Sequence, residues 1–293
     1  MSNSRPPHIF GEVLFDHFPD GSRVLGGAPF NVAWHLQAFG QSPLMVSRVG
    51  RDAQGEQVRA AMTAWGMSTR HLQTDPTRAT GQVTVTFKDG EPAYDIVADC
   101  AYDHIDPVPA EPCELLYHGS LAVRAAVSAT TLKLLRAAGP RRVFIDVNLR
   151  PPWWQPAVVQ DLLAGADWVK LNSDELAILS GNPATAETAR AFLQRYGLRG
   201  LLVTQGARGA QLLLADGESL QVAPQPGTEV VDTVGAGDAF TAVMLLGLLQ
   251  EWPMPITLAR AQQFAAAVVG RRGATVDQRD FYRTFTRQWQ LAE

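Results

Sequence analysis

Short β-branched and aliphatic runs alternate with stretches of helical periodicity along most of the chain, and this alternation restricts the fold more than any other feature. Strands joined through helices run parallel, and a parallel sheet needs cover on both faces. The pattern predicts an α/β chain with a doubly wound, mostly parallel sheet. The expected strands are residues 9–16, 44–49, 114–118, 143–148, 168–172, 201–204, 211–214 and 229–232, with helices between them. One segment breaks the rhythm. Residues 82–87 alternate polar and apolar side chains, Lys88-Asp89-Gly90-Glu91 forms a turn, and residues 93–97 resume the extended pattern. This predicts a β-hairpin, either decoration or a flap over a site.

With 293 residues, 46% of them hydrophobic, one large domain can form without a second. A formal net charge of -4 and the absence of any dense Lys/Arg run offer no field for a polyanion, so nucleic acid is not an expected partner. Cys100 and Cys113 are too few for a disulfide framework and lack metal-ligand spacing, as in a reducing compartment. The first ten residues lack the apolar core of a signal peptide, and the longest apolar run, residues 242–249, is too short to cross a bilayer. The expectation is a cytoplasmic protein with no membrane partner.

Ligands of open α/β sheets bind beyond the carboxyl ends of the strands. The predicted ends are polar: Asp16, then His118 and Ser120, then Asp146, Asn148 and Arg150, then Asn172 and Thr204. Any one of them suits a turn or a loop cap, but five such ends together mark a site. His118 stays ambiguous, because a single histidine at a strand end is commonly structural.

Two glycine turns carry the chemistry. Asp232-Thr233-Val234-Gly235-Ala236-Gly237-Asp238 leads from a β-branched run into an apolar helix expected to begin near Ala239. Free amides at such a helix start, with the helix dipole, can cradle a phosphoryl group on Gly235, Ala236 and Gly237. Asp238 then stands where a carboxylate could take the proton of an attacking hydroxyl, and the alternative is a carboxylate near the helix cap. Gly-Ala-Gly-Asp should arise by chance in about 1% of chains this long. The second turn, Gly26-Gly27-Ala28-Pro29-Phe30-Asn31, opens a helix running to Phe39 and projects Asn31, which can both donate and accept hydrogen bonds. No Gly-x-x-x-x-Gly-Lys-Ser/Thr occurs, and none of the three lysines, Lys88, Lys133 and Lys170, follows a glycine, which excludes a P-loop nucleotidase. The first strand is not followed by Gly-x-Gly-x-x-Gly, which counts against a dinucleotide-binding dehydrogenase.

In order and over nearly the whole chain, these motifs resemble those of the ribokinase (PfkB) family of carbohydrate kinases. Gly26, Gly27, Asn31, Gly40 and Gly50 fit the family's first signature, and the segment from Asp232 fits its second. Val243 departs from the small residue usual in that helix. Asn172-Ser173-Asp174-Glu175 looks like the family's Asn-x-x-Glu motif, the Thr204 to Gly209 turn like its nucleotide contact, and Arg271-Arg272-Gly273-Ala274 like the segment near the adenine and a monovalent cation.

The resemblance implies one ribokinase-like domain over residues 1–293, with a small β-lid built largely from about residues 80–98 and part of the N-terminal segment. It implies ATP-dependent phosphorylation of a sugar hydroxyl, with Asp238 as base. Asp16, Gly26, Gly27, Asn31, Asn148 and Arg150 would bind the sugar, and Asn172, Thr204, Gly206, Gly209 and Gly237 would bind ATP. Mg2+ would travel with ATP, with Glu175 organising its water shell indirectly, and Asp232 and Gly273 would hold K+. A pure helix cap is the other reading of the Asn172 segment. Gly-Gly-Ala-Pro-Phe-Asn, Thr80-Gly81 and Asp146-Val147-Asn148-Leu149-Arg150-Pro151 before Trp153-Trp154 look most like bacterial fructokinases. Kinases of 2-keto-3-deoxygluconate share the Asp-x-Asn-x-Arg segment and remain the alternative, beside other sugar or nucleoside kinases of the family. A non-catalytic sugar-binding regulatory module is the alternative of another class. The expected partners are thus a small-molecule sugar and ATP, with a homodimer left open.

Overall fold

The computed structural model describes residues 5–88, 91–109, 111–224 and 231–291. In chain order the elements are β1 (His8–Phe10), β2 (Leu14–His17), β3 (Arg23–Gly26), α1 (Ala28–Ala38), β4 (Leu44–Gly50), α2 (Ala53–Trp65), β5 (Leu72–Asp75), β6 (Gly81–Lys88) and β7 (Glu91–Ile96). They continue with β8 (Leu116–His118), α3 (Ala126–Ala137), β9 (Val143–Asp146), α4 (Pro156–Leu163), β10 (Trp168–Asn172), α5 (Ser173–Ser180), α6 (Ala186–Tyr196) and β11 (Gly200–Thr204). The last are β12 (Ala210–Leu214), β13 (Ser219–Val222), α7 (Ala236–Leu249), α8 (Met254–Val269) and α9 (Arg279–Gln288).

Nine strands form the main sheet in the order β13-β12-β11-β10-β9-β8-β1-β4-β5. From β11 to β5 every pairing is parallel, and only β12 and β13 add antiparallel strands at one edge. Side-chain alternation divides the core in two. Ile9, Phe144, Leu202 and Leu212 face α1, α2, α7, α8 and α9 through Trp34, Met62, Leu245, Phe264 and Phe285. Phe10, Ile145, Leu201 and Leu213 face α3, α4, α5 and α6 through Leu132, Leu162, Leu176 and Phe192. Helix α7 is buried from Ala239 to Leu248, as befits a helix apolar on every side, and Val243 fits there with no exposure.

A second sheet, in the order β3-β2-β6-β7, contains the expected hairpin. Val83 and Val85 are buried while Thr84 and Thr86 are exposed, the alternation read from the sequence; residues 89 and 90 of the turn lie outside the described residues. Arg124 anchors the end of this hairpin. Its guanidinium donates to Val97 O, to the Tyr102 hydroxyl and to both carboxylate oxygens of Asp103, and it lies 4.5 Å above the Trp153 ring.

Three expectations need correction. Residues 9–16 are two strands in different sheets, because the chain leaves the main sheet at Gly11. That residue has φ 149°, and a Cβ there would stand 2.4 Å from Pro29 Cγ. Asp16 therefore belongs to the second sheet and does not end a core strand. The strand expected at residues 229–232 falls partly outside the described residues, and Val231 and Asp232 lie in no strand; both donate to Val269 O. Helix α7 begins at Ala236 instead of near Ala239. Gly235 adopts the left-handed conformation, φ 78°, and starts the helix early, so Asp238 sits inside its first turn and does not cap it. Strands β3, β5 and β13 had not been read from the sequence.

Candidate active site

The two glycine turns, more than two hundred residues apart in sequence, meet through one hydrogen bond. Asn31 Nδ2 donates to Asp238 Oδ2 at 2.7 Å. Gly27 caps α1 and places Asn31 at its first turn, where the side chain is 4% exposed. Gly235 caps α7 with no side chain to satisfy the first amides, and Gly237 is exposed, so the start of that helix is open to an anion. Asp16 reaches the same place from β2: its Oδ2 lies 3.7 Å from the point where a Cβ on Gly26 would stand, and Asn31 Oδ1 lies 3.8 Å from that point.

The carboxyl groups here hold their protons unusually well. Burial raises Asp238 to a pKa of about 6, with Asp146 adding to the shift and Asn31, Lys170 and Arg150 opposing it. Asp16 is raised to about 6, again by burial, against Arg150. Glu12, 4% exposed on the link between β1 and β2, is raised to about 7 by burial. Arg150 is exposed and acts electrostatically on all three carboxyls. Asn148 has φ 42°, and its carbonyl accepts from Ser120 Oγ at 3.5 Å.

The neighbouring strand ends form a second group. Asn172 and Thr204 are paired in register at the ends of β10 and β11, and the Gly206 to Gly209 turn follows, closed by Gln205 N donating to Gly209 O. Asn172 and Glu175 form a reciprocal cap at the start of α5. Asn172 Oδ1 accepts from Glu175 N at 2.9 Å, Glu175 Oε2 accepts from Asn172 N at 2.8 Å, and Glu175 Oε1 accepts from Leu149 N at 2.7 Å. Glu175 thus ties the loop carrying Asn148 and Arg150 to the start of α5. Farther along, Asp232 accepts from Val234 N at 2.9 Å and from Gly273 N at 3.0 Å, which joins the two segments that the family resemblance links to a monovalent cation. His118 is wholly buried, bonds Gly119 O and has its pKa lowered to about 4 by burial, so it stays neutral.

Residues 7–280 match the model of the pfkB family carbohydrate kinases. This chain belongs to that family. A fructokinase of Klebsiella pneumoniae is 33% identical over 82% of this chain and 83% of its own length, and a fructokinase of Escherichia coli is 30% identical over 91% and 94%. The fold is that of a Vibrio cholerae fructokinase crystallised with fructose, ADP and potassium, at a TM-score of 0.82 and 24% identity over 97% of this chain and 99% of that one. The protein is accordingly an ATP-dependent carbohydrate kinase of the pfkB family.

Two charged residues at this pfkB site escaped the sequence reading. Glu12 and Lys170 each sit in the middle of an apolar run, Ile9 to Phe15 and Trp168 to Leu171, and a lone charge inside a buried strand pattern was the available signal. Both cysteines are buried free thiols, and among the described residues no helix is long and apolar enough to cross a membrane.

Proposed function

We propose that this pfkB kinase transfers the γ-phosphoryl group of ATP to a hydroxyl of fructose, with Asp238 as the base. The observation that carries this reading is the Asn31–Asp238 hydrogen bond at the uncapped start of α7. It joins a carboxylate whose pKa burial raises to about 6 to an anion cradle and to the polar groups of Asp16 and Asn31. Asp16, Gly26, Gly27 and Asn31 hold the sugar from one side, and Asn148 and Arg150 close on it from the other. Above the pKa of about 6, Asp238 accepts the proton of the attacking hydroxyl. The amides of Gly235, Ala236 and Gly237 meet the charge on the transferring group. Asn172, Thr204, Gly206, Gly209 and Gly237 bind the nucleotide.

The sheet β3-β2-β6-β7 serves as the lid, since it carries both Asp16 and Gly26, and lid and main sheet act as one kinase domain. Mg2+ arrives on the ATP phosphates. Glu175 spends an oxygen on each of two backbone amides, which leaves it free lone pairs for a metal-bound water but suits it poorly as a direct ligand. The Asp232–Gly273 contact supports a K+ site there, with the ion steadying the loop that shapes the cradle. The protein works in the cytoplasm.

Fructose is favoured because the two relatives named above are fructokinases. ADP release measured with ATP, Mg2+ and a panel of fructose, other hexoses, ribose, ketodeoxygluconate and a nucleoside tests the choice. Fructose should give the highest kcat/KM. A preference for ketodeoxygluconate or a nucleoside would reassign Arg150 to that substrate.

A further inference from the structure

The site contains one buried cation to which the mechanism above gives no task. Lys170 is 7% exposed in the middle of β10, and its ammonium donates to Asp146 Oδ2 at 2.6 Å. The same oxygen accepts from Thr241 Oγ1 at 3.1 Å, and that hydroxyl also lies 2.8 Å from Gly237 O. The ion pair is therefore tied to the first turn of α7. Its orientation is definite. Lys170 Nζ lies 3.5 Å from the point where a Cβ on Gly237 would stand, while no atom of Asp146 comes within 4 Å of it. At Gly237 the positive end of the pair is the nearer, while at Asp238 the Asp146 carboxylate acts against it.

Fold stability gives a weak reason for such a pair, since well-packed neutral side chains in place of a buried ion pair are often as stable. We propose that Lys170 is a positioning residue for phosphoryl transfer, holding its charge beneath the Gly235–Asp238 turn to offset the negative charge that gathers there as the phosphoryl group passes. This rests on reading that turn as the anion cradle and Asp238 as the base. Asp146 aims the ammonium, and Thr241 fixes the pair to the backbone of Gly237. The groups that act on Asp238 besides this pair include Arg150, Asn31, Glu12 and the buried Tyr117.

The test compares Asp146→Asn/Lys170→Met, which removes both charges without leaving a buried ion unpaired, with Lys170→Met alone, Thr241→Val and Asp238→Asn. In the double variant kcat should fall about 10- to 30-fold, with KM for sugar and ATP within about 3-fold of the parent, because the lost interaction grows with charge in the transition state. In Lys170→Met the loss should reach about 100-fold, the scale of one charge near the turn at intermediate dielectric. The acid limb of its kcat/KM profile should also move upward, since Lys170 favours the ionised form of Asp238. Thr241→Val should lower kcat about 3- to 10-fold with both KM values kept. A folded double variant with kcat within twofold of the parent would overturn the proposal. Should the double variant not fold, an unchanged kcat in Thr241→Val would overturn it instead. If Asp238→Asn collapses while the double variant keeps its turnover, only the role of Lys170 falls; if Asp238→Asn keeps its turnover, the base assignment falls first.

Discussion

Asn31→Leu isolates the contact that joins the two glycine turns. Leucine keeps the branched four-heavy-atom shape of asparagine and suits a position 4% exposed in α1, so the helix should be kept. What is lost is the 2.7 Å hydrogen bond from Nδ2 to Asp238. A hydrogen bond to a charged group contributes about 1.5–3 kcal/mol, and about 1.4 kcal/mol corresponds to one pKa unit, so the Asp238 pKa should rise by about 1–2 units. The sign follows from the contact: Asn31 donates to the ionised carboxylate and holds its pKa down against the burial that raises it to about 6. Because the base must be ionised, the acid limb of kcat/KM should move from about 6 toward about 7–8. Initial rates from pH 5 to 9, with stability followed in parallel, provide the measurement. A lower rate with an unmoved limb would refute the argument and reduce Asn31 to a sugar contact.

Burial raises Glu12 from 4.5 to about 7, so the folded protein binds the proton more tightly than the unfolded chain, and stability should fall as pH rises between those values. The loss attributable to Glu12 should approach about 3 kcal/mol above pH 7, and urea melts at pH 5 and 8 should show Glu12→Gln flattening this slope. Arg124→Ala strands the buried Asp103 carboxylate and frees the end of the hairpin at Val97, which should cost about 3–5 kcal/mol in a urea melt; a loss under 1 kcal/mol would mean that the cluster does not anchor the hairpin.

The fold was legible wherever one physical signal dominated. Residues 168–172 and α1 lie where periodicity and glycine turns put them, and the hairpin alternation was visible because Val83 and Val85 face the core while Thr84 and Thr86 face solvent. At Gly11 the apolar pattern of the sequence continues across a change of sheet. Only the tertiary approach of Pro29 reveals that the chain turns there. Strand β13 alternates between exposed and half-buried residues and so carries too little burial to stand out. Within the site, Asp238, Asn31 and Asp16 could be named because each sits beside a turn or a strand end. Glu12 and Lys170 could not, since their significance depends on what the fold packs around an isolated charge. Glu175 is given a metal role by resemblance; its local bond to Asn172 N follows the capping pattern of the sequence, whereas its bond to Leu149 N becomes evident only when that loop folds beside α5.

The most direct test of the account is the turnover of Asp238→Asn on fructose with ATP and Mg2+ at pH 7.5, beside its affinity for ATP. Asparagine can still accept the Asn31 hydrogen bond through its carbonyl oxygen, and the residue lies inside the first turn of α7 without capping it, so fold and nucleotide binding should persist. The account predicts that kcat falls by about 100- to 10,000-fold, the usual consequence of losing a general base, while ATP affinity stays within a few-fold of the parent. A folded variant that keeps kcat within about threefold of the parent would contradict it, because the proton of the sugar hydroxyl would then leave by a route that does not need the Asp238 carboxylate.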